Sequence, residues 1–110
     1  MNNLDYNEPI HKDSLIKNSH LRLMTDFLEK KKNPKVLELG VERGSSTKAF
    51  LWHLEKTDGK LFSIDIDDCS KVANSKNWNF LQSNDLNSDY ILEKFEEIKK
   101  EGVDLIYIDS

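Results

Sequence analysis

Residues 36–46 read Val-Leu-Glu-Leu-Gly-Val-Glu-Arg-Gly-Ser-Ser, and this stretch decides how the rest of the chain is interpreted. A short apolar run carries one carboxylate, Glu38, and two glycines follow at a spacing of four, Gly40 and Gly44. Hydroxyl residues come next and open an amphipathic segment. This order predicts a strand, a glycine turn and a helix N-terminus, which is where open α/β sheets bind nucleotide-like ligands.

Helical and strand patterns alternate along the remaining sequence. Apolar residues at a period of about 3.6 indicate helices, and short apolar runs bounded by turn residues indicate strands. The predicted helices are 14–33, 45–56, 68–75 and 88–100, and the predicted strands are 35–39, 60–66, 78–82 and 103–108. We therefore predict an α/β fold, a Rossmann-like parallel sheet with helices on both faces and the strand order 3-2-1-4.

The chain is expected to form one domain, in which residues 1–34 supply an N-terminal segment and helix and residues 35–110 the ligand-binding half. The fourth predicted strand is apolar almost throughout and lies close to Ser110. An apolar strand at an uncovered sheet edge invites aggregation. The sequence therefore predicts a chain truncated before a fifth strand, or a partner that covers this edge, and it leaves a homo-oligomer open.

Composition and charge limit the class of protein. The chain has 110 residues, 37% of them apolar, and a formal net charge of −4. An acidic chain without a basic stripe argues against nucleic acid as a partner. Cys69 is the one cysteine, the N-terminus lacks a signal-peptide core, and no apolar run approaches the roughly 20 residues that span a membrane. These features predict a cytoplasmic protein with no membrane partner.

Three acidic residues fall near the carboxyl ends of predicted strands: Glu38, Asp65 and Asp109. In a doubly wound sheet these ends line the ligand crevice. Asp65 follows the glycine turn by about twenty residues, the offset at which a carboxylate accepts hydrogen bonds from ribose hydroxyls. The two hydroxyls of a ribose are both donors, and one carboxylate can accept both.

The glycine turn differs from the dinucleotide-binding fingerprint. That fingerprint has a middle glycine where the backbone approaches a pyrophosphate, and Glu42 occupies this position here. A carboxylate would repel a pyrophosphate, so the sequence disfavours NAD and FAD. A NAD or nucleotide-sugar enzyme of Rossmann type stays an alternative, as does a Rossmann-like domain that binds a ligand or partner without catalysis.

The segment 38–46 resembles motif I of the class I S-adenosylmethionine-dependent methyltransferases, acidic-x-Gly-x-x-x-Gly. Segments 61–67, 81–85 and 103–109 are similar to the second, third and fourth motifs of that family, so the resemblance covers about residues 35–109. Each motif alone is weak, whereas four in the expected order are more specific. The chain looks most like the small-molecule O-methyltransferases, including catechol-type and cephalosporin-hydroxylase-like relatives.

The resemblance implies a role for each residue of the first motif. Gly40, Val41 and Gly44 would lie against the methionine and ribose portions of S-adenosylmethionine. Glu38 would orient the turn and face the amino end of the methionine, and Ser46 would bind the methionine carboxylate at the helix N-terminus. Glu38 as a cap of the turn and Ser46 as a helix-start residue are the corresponding structural alternatives.

The same resemblance places the nucleoside after the second and third strands. Asp65 would bind the ribose hydroxyls, and Ile66 would lie against the face of the adenine. Asn84 or Asp85 would contact the adenine amino group, and the motif leaves open which of the two does so. Residues 35–110 would then form the S-adenosylmethionine-binding half of a methyltransferase domain.

Asp109 is the candidate catalytic residue, because the resemblance places it beside the transferred methyl group. In the metal-dependent branch of the family this position is a magnesium ligand, so Asp109 is also the candidate Mg²⁺ ligand. The implied reaction is methyl transfer to an oxygen of a small molecule or sugar. The 110 residues alone are expected to show little activity, since much of the acceptor site would lie in later strands.

Overall fold

The computed structural model describes residues 19–84 and 87–108, with side chains from residue 23 onward. Within these ranges eight elements follow one another in the order α-β-α-β-β-α-α-β. The predicted start of the first helix at Ser14 lies outside the described residues. The helices are α1 (Ser19–Glu29), α2 (Ser45–Leu54), α3 (Ser88–Lys94) and α4 (Glu96–Glu101), and the strands are β1 (Lys35–Leu39), β2 (Lys60–Asp65), β3 (Trp78–Gln82) and β4 (Leu105–Ile108).

The four strands form one parallel sheet in the order β3-β2-β1-β4. β1 lies in its interior, where Leu37 pairs with Phe62 of β2 on one side and with Ile106 of β4 on the other. This arrangement confirms the predicted Rossmann-like α/β fold and its strand order. Because all four strands run in the same direction, the loops that follow them meet at one edge of the sheet, here called the carboxyl edge.

Each face of the sheet carries its own core. On one face, Val36 and Leu61 pack with Phe50 of α2. On the other face, Phe62 packs with Phe95, and the two rings meet edge to face with their centroids 5.1 Å apart. Successive residues of β2 thus serve opposite faces, as the pleat of a strand requires. In the described part of the chain, no helix combines the length and apolar character needed to cross a membrane.

The helix predicted at 68–75 is wrong, because residues 66–77 form an irregular segment between β2 and β3, here called the connector. Asp68 accepts a hydrogen bond from the Ser70 N–H at 3.0 Å, and Asp65 accepts one from the Asp67 N–H at 2.9 Å. Such local bonds offer the backbone an alternative to a helix. The aspartates that look like a helix start in the sequence therefore stabilise turns.

The helix predicted at 88–100 is divided at Phe95 into α3 and α4. Phe95 has φ −106° and ψ 68°, outside the helical region, and its side chain is 7% exposed. The break allows Ile91 of α3 and Ile98 of α4 to reach the same core as Phe95. Packing thus overrides a sequence that would otherwise continue as one helix.

Candidate functional site

The turn between β1 and α2, here called the glycine loop (residues 40–44), has positive φ angles at both ends, 100° at Gly40 and 88° at Gly44. The Gly40 N–H extends the sheet ladder by donating to the Ile64 carbonyl at 2.8 Å. The Gly44 N–H donates to the Val41 carbonyl at 2.8 Å and closes the loop. Glycine is favoured at both ends, because other residues rarely adopt these angles.

Gly44 also lies against the connector. A Cβ atom at Gly44 would come within 2.1 Å of Val72 Cγ1, which is closer than real contacts allow. Packing and backbone geometry therefore both require glycine here. The predicted contact of Gly40 and Gly44 with a ligand is compatible with this arrangement and stays a prediction.

Glu38 is fully buried, and its carboxylate accepts hydrogen bonds from three hydroxyl groups. Ser46 and Thr47 donate from the first turn of α2, Thr47 at 2.7 Å, and Ser63 donates from β2 at 2.6 Å. Trp78 Nε1 in turn donates to Ser63 Oγ at 2.8 Å. Charge-assisted bonds of this kind make a buried carboxylate tolerable. Glu38 therefore joins β1, the start of α2 and β2.

The structure places Glu38 and Ser46 together in the interior, with the hydroxyl of Ser46 directed to Glu38 rather than outward. Thr47 and Ser63 belong to the same network, although their sequence motif assigns them no role. The predicted sheet nevertheless points to Ser63 as a partner of Glu38, since the two residues are register partners on neighbouring strands. A carboxylate within a strand that is buried on both faces needs donors nearby.

Asp65, at the end of β2, is bonded to the glycine loop. Its Oδ2 accepts hydrogen bonds from the N–H groups of Val41 at 2.8 Å and Glu42 at 3.1 Å. Its Oδ1 accepts the Asp67 N–H at 2.9 Å. Burial acts to raise the pKa of Asp65, but the backbone donors outweigh burial and hold it below the ordinary value of 3.8. Asp65 is therefore a charged anchor for the loop.

Ile66 and Asn84 extend the carboxyl edge beyond β2 and β3. The side chain of Ile66 is 69% exposed, and its carbonyl accepts a hydrogen bond from Gln82 Nε2 at 3.1 Å. Asn84 is exposed as well. The structure thus brings an apolar surface and an amide to the same edge as the glycine loop. Asp85 and Asp109, the other predicted residues of this edge, lie outside the described residues.

The electrostatics of the carboxyl edge are mixed. Glu42, Asp67 and Asp68 are exposed carboxylates on the segments that hold or follow Asp65, and they form an acidic rim. The N-terminus of α2 is the positive counterpart, because Gly44 occupies the N-cap and provides no side chain to the first-turn N–H groups. The site therefore offers separate surroundings for a cationic group and for a carboxylate.

No set of three or more His, Cys, Asp or Glu side chains in ranges 23–84 and 87–108 is arranged to hold a metal ion. The predicted magnesium role of Asp109 falls on a residue outside those ranges. It stays a prediction from the resemblance alone.

Comparison with known proteins supports the fold. No protein-family model and no curated protein matches the chain. Among solved structures, a chain described as a ribosomal RNA methyltransferase from Plasmodium falciparum matches with a TM-score of 0.58 and 24% sequence identity. The match covers 84% of this chain and 52% of that chain, so this chain spans about half of the neighbour's length. This chain therefore has a Rossmann-like fold of the kind found in that methyltransferase.

The neighbour contradicts two predictions about partners: that the acceptor is a small molecule, and that nucleic acid is excluded. Its description names ribosomal RNA, and it has the fold of this chain. The exclusion depended on the net charge of −4, which averages over every face of the molecule. Net charge does not describe the one surface that meets an acceptor, and about half of the neighbour's chain lies beyond the match. The net negative charge of this chain is therefore not evidence against RNA as the acceptor.

Proposed function

We propose that this chain carries the S-adenosylmethionine-binding half of a class I methyltransferase. One observation carries the proposal: a glycine loop at the carboxyl edge of a 3-2-1-4 parallel sheet, fastened to β2 by Asp65. In open α/β sheets the ligand crevice lies outside this edge, beside the central strands. The motifs that resemble the family all lead to this edge.

The N-terminus of α2 is the proposed site for the methionine carboxylate. α2 has ten residues, and its first-turn N–H groups have no capping side chain at Gly44. Such N–H groups favour an anion. Ser46 would contribute its backbone, because its hydroxyl already donates to Glu38. Glu38 would act from the interior by holding this end of the helix against the sheet.

Ile66 is the proposed surface for the adenine. Its side chain is 69% exposed and follows Asp65 directly, so an aromatic ring could cover it beside the glycine loop. Asn84 or Asp85 would supply the polar contact to the adenine amino group. Gly40 and Gly44 would allow the loop backbone to approach the donor closely.

The acidic rim favours this donor over a dinucleotide. Glu42, Asp67 and Asp68 are exposed at the site, and their negative charge attracts a cationic sulfonium and repels a pyrophosphate. The residues present therefore fit S-adenosylmethionine better than NAD. The rim is also the reason to regard the NAD and nucleotide-sugar alternative as the weaker one.

Bound S-adenosylmethionine supplies an activated methyl group for transfer to a nucleophile. The residues of this chain would hold the donor in position, and such alignment accounts for much of the rate in reactions of this type. Asp109 is proposed to lie beside the methyl group, as the resemblance implies. A nearby base would accept the proton of the acceptor. RNA belongs among the acceptors to be assayed, because the structural neighbour is described as a ribosomal RNA methyltransferase.

Calorimetric titration of the full chain with S-adenosylhomocysteine and with NAD tests the donor assignment. We expect saturable binding of S-adenosylhomocysteine and no binding of NAD, since the acidic rim repels the pyrophosphate. Binding of NAD alone, or of neither ligand, would refute the proposal. Methyl transfer from labelled S-adenosylmethionine to RNA then distinguishes an enzyme from a domain that binds without catalysis.

The substitution Ile66→Ala tests the adenine surface. We expect it to weaken S-adenosylhomocysteine binding by about tenfold, because roughly 25 cal/mol is lost for each Å² of apolar contact removed. Ile106→Ala is the matched control, since Ile106 is 54% exposed but lies within β4. Binding affected equally by the two substitutions would contradict the position proposed for the adenine.

A further inference from the structure

The two edges of the sheet differ in charge. The acidic rim lies at the carboxyl edge, whereas lysines collect at the opposite edge, where β1, β2 and β3 begin, here called the amino edge. Lys35 and Lys60 are the first residues of β1 and β2 and are register partners. Five more lysines lie on the segments that lead into these strands: Lys30, Lys31, Lys32, Lys56 and Lys76. The amino edge thus holds seven of the 16 Lys and Arg residues of an acidic chain.

Hydrogen bonds hold the segments that carry these lysines side by side. Asn33 Nδ2 donates to the carbonyl and to the carboxylate of Asp58, both at 3.2 Å. The Lys60 N–H donates to the Pro34 carbonyl at 2.8 Å. The segment that follows α1 therefore lies against the turn that follows α2, and the lysines of both segments contribute to one surface.

The carboxylates of the amino edge are already engaged within the chain. Glu97 accepts a hydrogen bond from Lys60 Nζ at 2.7 Å and lies 3.5 Å from Lys35 Nζ. Four others have partners as well: Glu29, Glu55, Asp58 and Asp104. In ranges 23–84 and 87–108, four exposed lysines of this edge form no ion pair: Lys30, Lys31, Lys32 and Lys76. Their ammonium groups are available to an anionic partner.

A pocket opens in the surface of the amino edge. Its volume is about 390 Å³, within the range of pockets that hold small ligands. Three of the lysines, Lys35, Lys60 and Lys76, line it together with Asn33 and Asn77. Ammonium groups and amides donate hydrogen bonds to phosphate oxygens. The lining of this pocket therefore suits a ligand that carries phosphate.

We propose that the amino edge binds a single-stranded nucleic acid through its phosphates, with one nucleotide in the pocket and its neighbours along the segment 30–32. The inference goes beyond the proposed function, because this surface lies at the opposite edge of the sheet from the donor site. A single strand is narrow and flexible enough to enter the pocket, whereas the surface of a lipid bilayer is not.

Phe27 is the second reason to assign a nucleic acid to this surface. Its side chain is 43% exposed, and Lys31 Nζ lies 4.9 Å from the centre of the ring. Proteins that bind single strands combine cations along the backbone with aromatic rings on which bases stack. An acidic peptide has no bases to stack on this ring.

Fluorescence anisotropy of a short labelled oligouridylate, titrated with the full chain, tests this surface. We expect Lys32→Gln/Lys76→Gln to weaken binding roughly 20-fold at about 0.1 M salt, since two phosphate contacts are lost. Lys71→Gln/Lys94→Gln is the matched control, because it removes two exposed lysines outside the amino edge and should leave the affinity nearly unchanged. Equal losses in the two variants, or no binding by the wild-type chain, would overturn the proposal.

Glu97→Gln tests the pocket in the opposite direction. It removes the carboxylate that engages Lys35 and Lys60, so that both ammonium groups become available to phosphates. We expect binding to tighten about fivefold at about 0.1 M salt, the effect of one further phosphate contact. Glu93→Gln, on the exposed side of α3, is the control and should leave the affinity nearly unchanged. An unchanged or weaker affinity in Glu97→Gln would overturn the proposal.

Titration of the wild-type chain with other polyanions identifies the partner. An oligothymidylate distinguishes DNA from RNA as the source of the strand, and its binding would support the proposal because both strands carry the same phosphates. Polyglutamate and vesicles of phosphatidylcholine and phosphatidylserine should bind more weakly than the oligouridylate, since neither offers bases to Phe27. Binding of either one as tightly as the oligouridylate would overturn the assignment to nucleic acid.

These titrations contain no methyl donor, so their outcome does not depend on the proposed function. A chain that binds S-adenosylhomocysteine but no nucleic acid would keep the proposed function and lose the role of the amino edge. A chain that binds the oligouridylate but no S-adenosylhomocysteine would do the reverse.

Discussion

Glu38 and Asp65 are carboxylates on neighbouring strands, and each organises a different part of the carboxyl edge. Glu38 accepts hydroxyl groups in the interior and holds the start of α2 against the sheet. Asp65 accepts backbone N–H groups near the surface and holds the glycine loop. Both residues thus shape the candidate site through other groups of the chain.

The substitution Glu38→Gln is expected to destabilise the chain by about 2 kcal/mol, because a buried network would lose its charged acceptor. Urea unfolding followed by tryptophan fluorescence measures this loss. Glu55→Gln is the control, since exposed Glu55 also accepts a hydroxyl, from Ser75 at 2.6 Å, and should change stability by about 0.5 kcal/mol at most. Equal losses in the two variants would contradict the importance of burial at Glu38.

His53 is expected to make stability depend on pH. Its side chain is 6% exposed, and burial lowers its pKa below the ordinary value of 6.5, although the neighbouring Glu29 carboxylate acts to raise it. The unfolded chain then binds a proton more readily than the folded chain. The stabilisation is fully present above pH 6.5 and is lost as the pH falls towards the folded pKa.

Urea midpoints measured between pH 7.5 and pH 5.5 check this expectation. The wild-type chain should lose stability over this interval, and His53→Gln should lose less, because glutamine takes up no proton. Identical slopes for the two proteins would mean that His53 does not cause the pH dependence.

The residue roles were predictable only where a motif has one structural meaning. Gly40 and Gly44 follow from the turn that joins a strand to a helix. The partners of Glu38 and Asp65 depend on which atoms meet in three dimensions, and a motif does not give that. The sequence therefore predicts that the Asp65 carboxylate is free to bind a ligand, whereas in the structure it accepts three backbone N–H groups.

Among the structural elements, the connector and the start of α2 are packed together through Gly44 and Val72. We expect Gly44→Ala to destabilise the chain by about 2–4 kcal/mol, since it combines a left-handed backbone with a clash against Val72. In a Val72→Ala background the clash is relieved and the cost should fall to about 1–2 kcal/mol, the backbone part alone.

Gly102 provides the control for this pair of measurements. Its φ is 77°, but among the described residues no atom beyond its chain neighbours lies within 4 Å of the position that a Cβ would take. Gly102→Ala should therefore cost the same in the wild-type and Val72→Ala backgrounds. A Gly44→Ala cost that is also independent of Val72 would contradict the packing account. Urea unfolding supplies all of these free energies.

Element boundaries were predictable where the chain is apolar and bounded by turn residues. β1 and β3 begin and end at the predicted residues, 35–39 and 78–82. The connector and the break at Phe95 were not predictable in the same way. Hydrogen bonds to aspartate side chains determine the shape of the connector. Packing of Phe95 against Phe62 determines the break between α3 and α4.

For the molecule as a whole, S-adenosylhomocysteine is expected to stabilise the folded state. A ligand that binds only the native chain adds about 2.7 kcal/mol to the free energy of unfolding at a concentration 100 times its Kd. Thermal unfolding followed by circular dichroism should therefore shift to higher temperature with this ligand and stay unchanged with NAD. An unfolding curve that responds to neither ligand would contradict the donor site.

The topology of the molecule was predictable because alternating helices and strands with right-handed crossovers allow few arrangements. The acceptor was not predictable, because a net charge of −4 is a property of the entire chain and not of one surface. The structural neighbour with its ribosomal RNA description corrects that inference.

The buried carboxylate of Glu38 also has a consequence for how the chain folds. Two of its donors lie 8 and 25 residues further along the sequence, in α2 and in β2. An intermediate with β1 buried and these segments undocked would hold a charge without partners in apolar surroundings, which is costly. Partly assembled states of this kind should be scarce, so one acidic side chain makes β1, the start of α2 and β2 a single cooperative folding unit.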